Sequence, residues 1–79
     1  MATAKTEQDW AKRVHRHLKA ELKRADVTYE ELAEKMKKHG FKETQASIAS
    51  KLSRNTAPAA FFIAALVAIG AEMIKLEDI

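Results

Sequence analysis

Hydrophobic residues recur at every fourth position near the start of the chain, at Trp10, Val14, Leu18 and Leu22. Residues at this spacing share one face of an α-helix, so the pattern predicts an amphipathic helix whose stripe faces a core. Thr6 and Asp9 have the spacing of a capping box, with acids where the helix dipole favours them. The sequence therefore predicts a helix over about Glu7–Ala25, preceded by disordered residues 1–6.

A second helix is predicted directly after Thr28, because Thr28 and Glu31 form another capping box. Leu32, Ala33 and Met36 fall on the face that should turn inward. Gly40 predicts the end of this segment, since glycine readily adopts the left-handed conformation that closes helices.

A third helix, predicted over Gln45–Arg54 with Thr44 as its cap, has two opposed faces. Ile48 and Leu52 form the apolar face, and the polar face carries Ser47, Ser50, Lys51 and Arg54. From residue 44 to residue 71 the chain has no Asp or Glu, which suits a surface that approaches phosphates. Gln at the helix start can pair with adenine, and short serines allow close approach to bases. The other interpretation is a solvated helix face that binds nothing.

A fourth helix, predicted over about Ala59–Ile69 and closed by Gly70, is apolar all round. Its core face is predicted to hold Phe62, Ala65, Leu66 and Ile69. A domain of this size does not enclose a helix completely, so leftover apolar surface predicts a two-fold homodimer. The predicted seam draws on Phe61, Ile63, Ala64, Val67 and Ala68. Alternatively, the first helix and the C-terminal turn cover this surface.

With a last turn near residues 74–78, the pattern predicts an all-α protein, a compact bundle of about five helices in one domain over 7–79. The length of 79 residues leaves room for one modest core and no separate catalytic cleft. The longest apolar run has 11 residues after Pro58, against roughly 20 for a bilayer span. No apolar segment of a secretory signal is present, so we expect a cytoplasmic protein with no membrane partner.

Candidate chemistry is sparse. The chain has no Cys, which excludes disulfides and cysteine-ligated zinc. His15 and His17 lie two positions apart and diverge by about 200° on a helix, so they do not chelate one ion. Ser47, Ser50 and Ser53 have no nearby His–Asp arrangement, and no glycine-rich phosphate loop occurs. We therefore expect no enzyme, metal, cofactor or small-molecule substrate.

A basic stripe follows the outer side of the first helix, formed by Lys12, Arg13, Arg16, Lys19 and Lys23. It has two interpretations, a track along a phosphate backbone or an ordinary solvated face, of which the solvated face is the commoner. The formal net charge of +3 is compatible with nucleic acid but modest.

Several segments resemble a known superfamily. Residues Val27–Met36 read VTYEELAEKM and resemble the "LTQEELAEKL" helix of phage-repressor and Cro-type helix-turn-helix domains. Residues Thr44–Ile48 are similar to the start of the recognition helix of that superfamily, and residues 58–70 and 74–78 to its fourth helix and tail. More narrowly, the chain resembles a bacterial family of short uncharacterised proteins whose pattern is carried here by Trp10, Glu21–Arg24, Thr28–Lys35, Glu43–Arg54, Phe61–Phe62 and Ala68–Gly70.

The resemblance implies a lambda-repressor-like fold and a dimeric transcriptional regulator that binds double-stranded DNA sequence-specifically, located at the nucleoid. Residues 44–54 would form the recognition helix. By position, Thr44 and Gln45 would make the first contacts, Ser47, Ser50 and Lys51 would follow along the groove, and Arg54 and Asn55 would lie near the phosphate backbone.

A second hypothesis is a helical protein-interaction or dimerisation module that has no specific DNA site and assembles through the fourth helix. The modest net charge favours it, as does the long connection of twelve positions between Met36 and Ile48. The acid-free polar face of the third helix favours DNA.

Overall fold

The computed structural model describes residues 5–79, and over this range every regular element is helical. The elements are α1 (Glu7–Ala25), α2 (Tyr29–Met36), α3 (Gln45–Arg54) and α4 (Ala59–Ala68), with 3-10 turns at Lys37–His39 and Leu76–Asp78. The all-α prediction is confirmed. The described residues contain four α-helices rather than about five, because the last predicted helix forms a single 3-10 turn.

Threonine caps begin the first three helices, as predicted. The hydroxyl oxygens of Thr6, Thr28 and Thr44 each accept a hydrogen bond from the backbone N–H three residues further on. The side chain at that third position accepts in return from the backbone N–H of the cap. Each reciprocal pair satisfies two N–H groups that would otherwise have no partner inside the helix, and so fixes where the helix begins.

The cap of α1 involves two residues of the segment 1–6 that precedes the helix. Residues 1–4 lie outside the described range. Lys5 and Thr6, by contrast, both donate their backbone N–H groups to the Asp9 carboxylate, at 3.3 Å each. These two residues therefore contribute to the cap of α1.

The connection between α2 and α3 is filled by local structure. After Met36 the chain makes the 3-10 turn, reverses at Gly40 with φ +82°, and continues without regular structure to Thr44. Only glycine adopts this φ without steric cost, so Gly40 ends the helical segment as predicted. Phe41 then packs edge-on against Phe61 of α4, with ring centroids 6.3 Å apart. The extra residues of the predicted long turn thus extend α2 and anchor the loop to the core.

The core lies where α2 packs against both α3 and α4, and where α1 packs against α4. Its large fully buried side chains include Leu18, Leu32, Met36, Ile48 and Leu52. Burial of such a side chain contributes about 1.5–3 kcal/mol. Ile48 and Leu52 are the two that α3 supplies, so they seat this helix against the core.

Two aromatic residues differ from their predicted positions. Trp10 was expected in the inward stripe of α1 but is 52% exposed, with the Arg13 guanidinium 5.2 Å from its ring centroid. Phe61 was expected to point away from the core but is 2% exposed. Both predictions were wrong, for different reasons. The period of α1 shows which residues share a face but not where along the helix the core ends, and α4 has no polar side that would indicate which of its faces turns inward.

His15 is a buried polar residue that the sequence pattern did not reveal. It lies among the inward residues of α1, and its Nε2 accepts a hydrogen bond from the backbone N–H of Ala57 at 3.0 Å. Its Nδ1 lies 2.6 Å from the carbonyl oxygen of Ala11 one turn earlier. Since Ala57 lies just after α3, this ring ties the end of α3 to α1.

Candidate nucleic-acid interface

Helix α3 has the two opposed faces that its sequence predicted. Ile48 and Leu52 are fully buried against the rest of the protein. Ala46, Ser50, Ser53 and Arg54 are exposed, as are Thr44 and Gln45 at the first turn. The exposed side carries small or neutral polar groups and one guanidinium. Such a side allows a flat, polar partner to approach the helix closely.

An acidic side chain from outside the helix reaches the edge of this face. The Glu43 carboxylate accepts hydrogen bonds from Ser47 Oγ at 2.7 Å and from Lys51 Nζ at 2.7 and 2.8 Å. Its side chain is only 11% exposed. We call these three residues the Glu43 cluster.

Electrostatics keep the Glu43 carboxyl ionised. Burial favours the neutral acid, but hydrogen bonds from Lys51 and Ser47 and the charge of Lys51 outweigh it. The pKa of Glu43 therefore lies below its ordinary value of 4.5. At neutral pH the cluster contains one carboxylate and one ammonium, so the charge of Lys51 is compensated locally.

Lys51 is held on two sides. Besides the carboxylate, its Nζ lies 5.4 Å from the ring centroid of the buried Phe61, and its side chain is 30% exposed. A cation over an aromatic face gains about 0.5–1 kcal/mol. Lys51 is one of the residues predicted to contact DNA along the groove, and in the structure its ammonium group contacts Glu43 and Phe61.

Thr44 and Ser47 also have structural partners. The Thr44 hydroxyl accepts from the Ser47 N–H at 3.0 Å, and the Ser47 hydroxyl accepts from the Thr44 N–H at 2.8 Å. Both predicted contact residues are therefore engaged in starting α3. Glu43 was not predicted to border this face, because it lies one residue before the acid-free stretch that begins at residue 44. Its spacing of four from Ser47 and eight from Lys51 was the available signal.

Three predicted contact residues have side chains without a polar partner in the described part of the chain. Gln45, Ser50 and Arg54 are exposed, and their side chains have no hydrogen bond or ion pair with any residue of the described range 5–79. Asn55 is half-buried and ends α3 in the left-handed conformation, with φ 56° and its backbone N–H donating to the Lys51 carbonyl. Asn55 therefore serves first as a helix terminator.

A groove brings α1 to the end of α3. It has a volume of about 530 Å³. Its wall includes Lys12 of α1 and Arg54 of α3, together with one acid, Glu7. Lys12 is the member of the basic stripe that lies beside α3.

The rest of the basic stripe faces other neighbours. Lys19 and Lys23 line a cleft beside the start of α2, with Tyr29. Arg13 and Arg16 line a cleft with Asp78 and Ile79, and Arg13 donates a hydrogen bond to the Ile79 carbonyl. The stripe is therefore not one continuous track leading to α3.

On α4, a narrow apolar strip remains exposed. Ile63 and Val67, one helical turn apart, are 51% and 53% exposed. Ala64 and Ala68 are half-buried and pack against the core, and Phe61 is enclosed. Of the five residues predicted for a dimer seam, Ile63 and Val67 thus offer the largest surface and Phe61 offers none.

Within residues 5–79, no group of three or more His, Asp or Glu side chains is placed to hold a metal ion. The helices of the same range are all too short or too polar to cross a bilayer.

A protein-family model matches most of the chain. The family model described as "Domain of unknown function (DUF6471)" matches residues 10–74. No curated protein and no solved structure matches the chain.

Proposed function

The chain belongs to the DUF6471 family over residues 10–74, and we propose that it is a sequence-specific DNA-binding protein of the helix-turn-helix type. In this proposal α2 and α3 are the two helices of the motif and α3 enters the major groove. The protein acts as a homodimer that regulates transcription in a repressor-like manner, at the nucleoid.

The proposal is based on the exposed side of α3. A major groove about 12 Å wide admits one helix, provided that the side chains facing the bases are short or able to pair with them. Ala46, Ser50 and Ser53 are short and exposed. Gln45 has both donor and acceptor groups for adenine, and Arg54 can reach guanine or a phosphate. None of these residues is acidic.

Phosphate contacts are few in this proposal. Lys12 and Arg54 line one groove at the end of α3, whereas Lys51 is compensated by Glu43. While Glu43 holds Lys51, two such contacts per subunit give a dimer about four, and hence a slope of roughly −4 for log affinity against log salt. This salt dependence is shallow for a DNA-binding dimer, so base contacts must supply affinity as well as specificity.

The strip at Ile63 and Val67 supports the dimer. Two copies of an apolar strip on a short helix can pack across a two-fold axis, which makes both contacts identical. A two-fold axis also presents two copies of α3, and a near-palindromic DNA site would match them.

Selection from a random duplex pool at two salt concentrations tests the DNA proposal. We expect one sequence to be enriched, Gln45→Ala to relax the preference at one position, and Arg54→Ala to weaken binding to all sequences. Arg16→Ala is the matched control for Arg54, because Arg16 is an exposed arginine of α1 that lines a different cleft. If no sequence is enriched and binding does not depend on salt, the DNA proposal is wrong.

A second candidate, a protein-interaction module without a DNA site, is favoured by one observation. Lys51 is compensated, so Arg54 is the cation on the exposed side of α3 that has no ion-pair partner within residues 5–79. In that case α4 rather than α3 carries the function. The selection then enriches nothing, while Val67→Glu still changes the mass of the assembly.

A further inference from the structure

Two donors on α3 converge on one anion. Ser47 Oγ and Lys51 Nζ both donate to the same oxygen, Oε1, of the Glu43 carboxylate, each at 2.7 Å. They lie one helical turn apart, on the same edge of α3. The anion they hold belongs to the chain itself, one residue before the cap of the helix.

These donors are of the kind that hold phosphates. Hydroxyl and ammonium groups make many of the hydrogen bonds from proteins to DNA phosphate oxygens. A carboxylate is the side-chain group that most resembles a phosphate in charge and acceptor character. The pair also borders the exposed side of α3, next to Ser50 and Arg54.

From this arrangement we propose that Ser47 and Lys51 form a phosphate site that the Glu43 carboxylate fills in the free protein, and that a DNA phosphate displaces Glu43 when α3 docks. The inference rests on the DNA-binding function proposed above and specifies how that binding is regulated. Glu43 is a specificity-determining residue here, because it makes one phosphate contact conditional on close docking of the helix.

A phosphate replaces the Glu43 carboxylate only under restricted conditions. Glu43 is tethered beside the donors and only 11% exposed, so a free phosphate in solution competes poorly with it. Removing both donors leaves a poorly hydrated carboxylate without partners, which is costly. A phosphate displaces Glu43 only when the other contacts of α3 hold the DNA in place. Binding to random sequence therefore lacks the Lys51 contact.

Replacement of the carboxylate tests this site. Glu43→Gln keeps the size of the side chain and removes its charge, which releases Lys51. We expect tighter binding to random duplex by several-fold and a slope of log affinity against log salt that is steeper by about 0.9 for each bound subunit. Glu34→Gln is the matched control, because Glu34 also pairs with a lysine, Lys37, but both side chains of that pair are more than half exposed.

A double-mutant cycle separates the site from a general charge effect. When Lys51 is replaced by alanine, Glu43→Gln and Glu34→Gln should have the same effect on DNA binding. Equal effects of Glu43→Gln and Glu34→Gln in the wild-type background overturn the proposal. So does a gain from Glu43→Gln that persists without Lys51.

The unmodified protein provides a second measurement, should Glu43→Gln fail to fold. The Glu43 carboxyl is titrated by NMR from neutral pH downwards, with and without the selected duplex. Displacement predicts that the pKa of Glu43 rises on DNA binding, since the hydrogen bonds that lower it are lost. An unchanged pKa in the complex overturns the proposal.

Failure of the DNA-binding proposal can be distinguished from failure of the phosphate site. If neither the wild type nor any variant binds duplex, the DNA function is wrong, and inorganic phosphate then serves as the probe. Phosphate should shift the Ser47 and Lys51 resonances of Glu43→Gln but not those of the wild type. Without that difference the phosphate site is wrong as well.

Discussion

The imidazole of His15 accepts a hydrogen bond at Nε2 from the backbone N–H of Ala57, 42 residues further along the chain. Its other nitrogen, Nδ1, faces the Ala11 carbonyl, which can only accept, so Nδ1 carries the proton. The two bonds fix one tautomer and one ring orientation. They join α1 to the loop that follows α3, and this contact positions the groove shared by Lys12 and Arg54.

Loss of this ring should cost more than loss of an exposed histidine. His15→Leu fills much of the same volume but leaves the Ala57 N–H without its acceptor, and we expect the free energy of unfolding to fall by about 1–3 kcal/mol. Urea denaturation measures the change. His39→Leu, at an exposed position in the 3-10 turn, is the control. Equal effects of the two substitutions would show that the Ala57 bond contributes little.

The two faces of α3 should separate stability from binding. Leu52→Ala removes a fully buried side chain, and we expect it to lower the free energy of unfolding by about 2–5 kcal/mol. Ser50→Ala, on the exposed side, should change stability by less than about 0.5 kcal/mol while altering DNA preference. Thermal melts and duplex binding of both variants test this separation. A large loss of stability in Ser50→Ala would contradict the assignment of its face.

Acid should destabilise the fold through three carboxylates. Hydrogen bonds from the backbone of Lys5 and from Thr6 lower the pKa of Asp9, and those from the backbone and side chain of Thr28 lower the pKa of Glu31. For Glu43, burial raises the pKa, but the hydrogen bonds from Lys51 and Ser47 lower it by more, so the net pKa lies below the ordinary value.

The ordinary pKa values are 3.8 for an aspartate and 4.5 for a glutamate. As pH falls below these values, the carboxylates of the unfolded chain bind protons while those of the folded chain remain ionised. The stabilisation is therefore complete above about pH 4.5 and is lost as pH falls through the lowered values. Urea midpoints between pH 2 and 7 measure this loss, and Glu43→Gln should show a shallower decline. A decline as steep as that of the wild type would mean that Glu43 does not contribute.

Assembly should depend on the exposed strip of α4. Val67→Glu places a charge on the strip, and we expect it to convert the proposed dimer to monomers that remain folded. Sedimentation gives the mass, and helical circular dichroism reports folding. Met73→Glu is the control, since Met73 is also an exposed apolar residue but lies outside α4. A dimer that survives Val67→Glu would rule out a seam at this strip.

Local features of this fold were predictable from the sequence. The bounds of α1 and α3 match their predictions. Each helix starts at a reciprocal cap, at Thr6 or Thr44, and the whole cap lies within four consecutive residues. Gly40 and Gly70 end their segments at φ +82° and +87°, as their type predicted. These signals are complete within one helical turn, so no tertiary information was needed.

Tertiary features were predicted less well. Helix α4 is apolar on every side, so its sequence has no period to show that Phe61 faces inward. Contact between Glu43 and Lys51 depends on the path of the loop before α3, which capping rules do not describe. Nothing in the pattern marked His15 as buried, because its partners are backbone groups that every residue possesses.

The reciprocal cap of Thr44 and Ser47 also restricts how this surface can diversify. Any change at either residue alters the start of α3 along with its chemistry, and Glu43 and Lys51 are coupled to Ser47 in the same way. Variation that leaves the helix intact is confined to Gln45, Ala46, Ser50, Ser53 and Arg54. A library randomised at these five positions should therefore change DNA preference with little loss of stability, whereas members that lose the Thr44 cap should be less stable by about 0.5–2 kcal/mol.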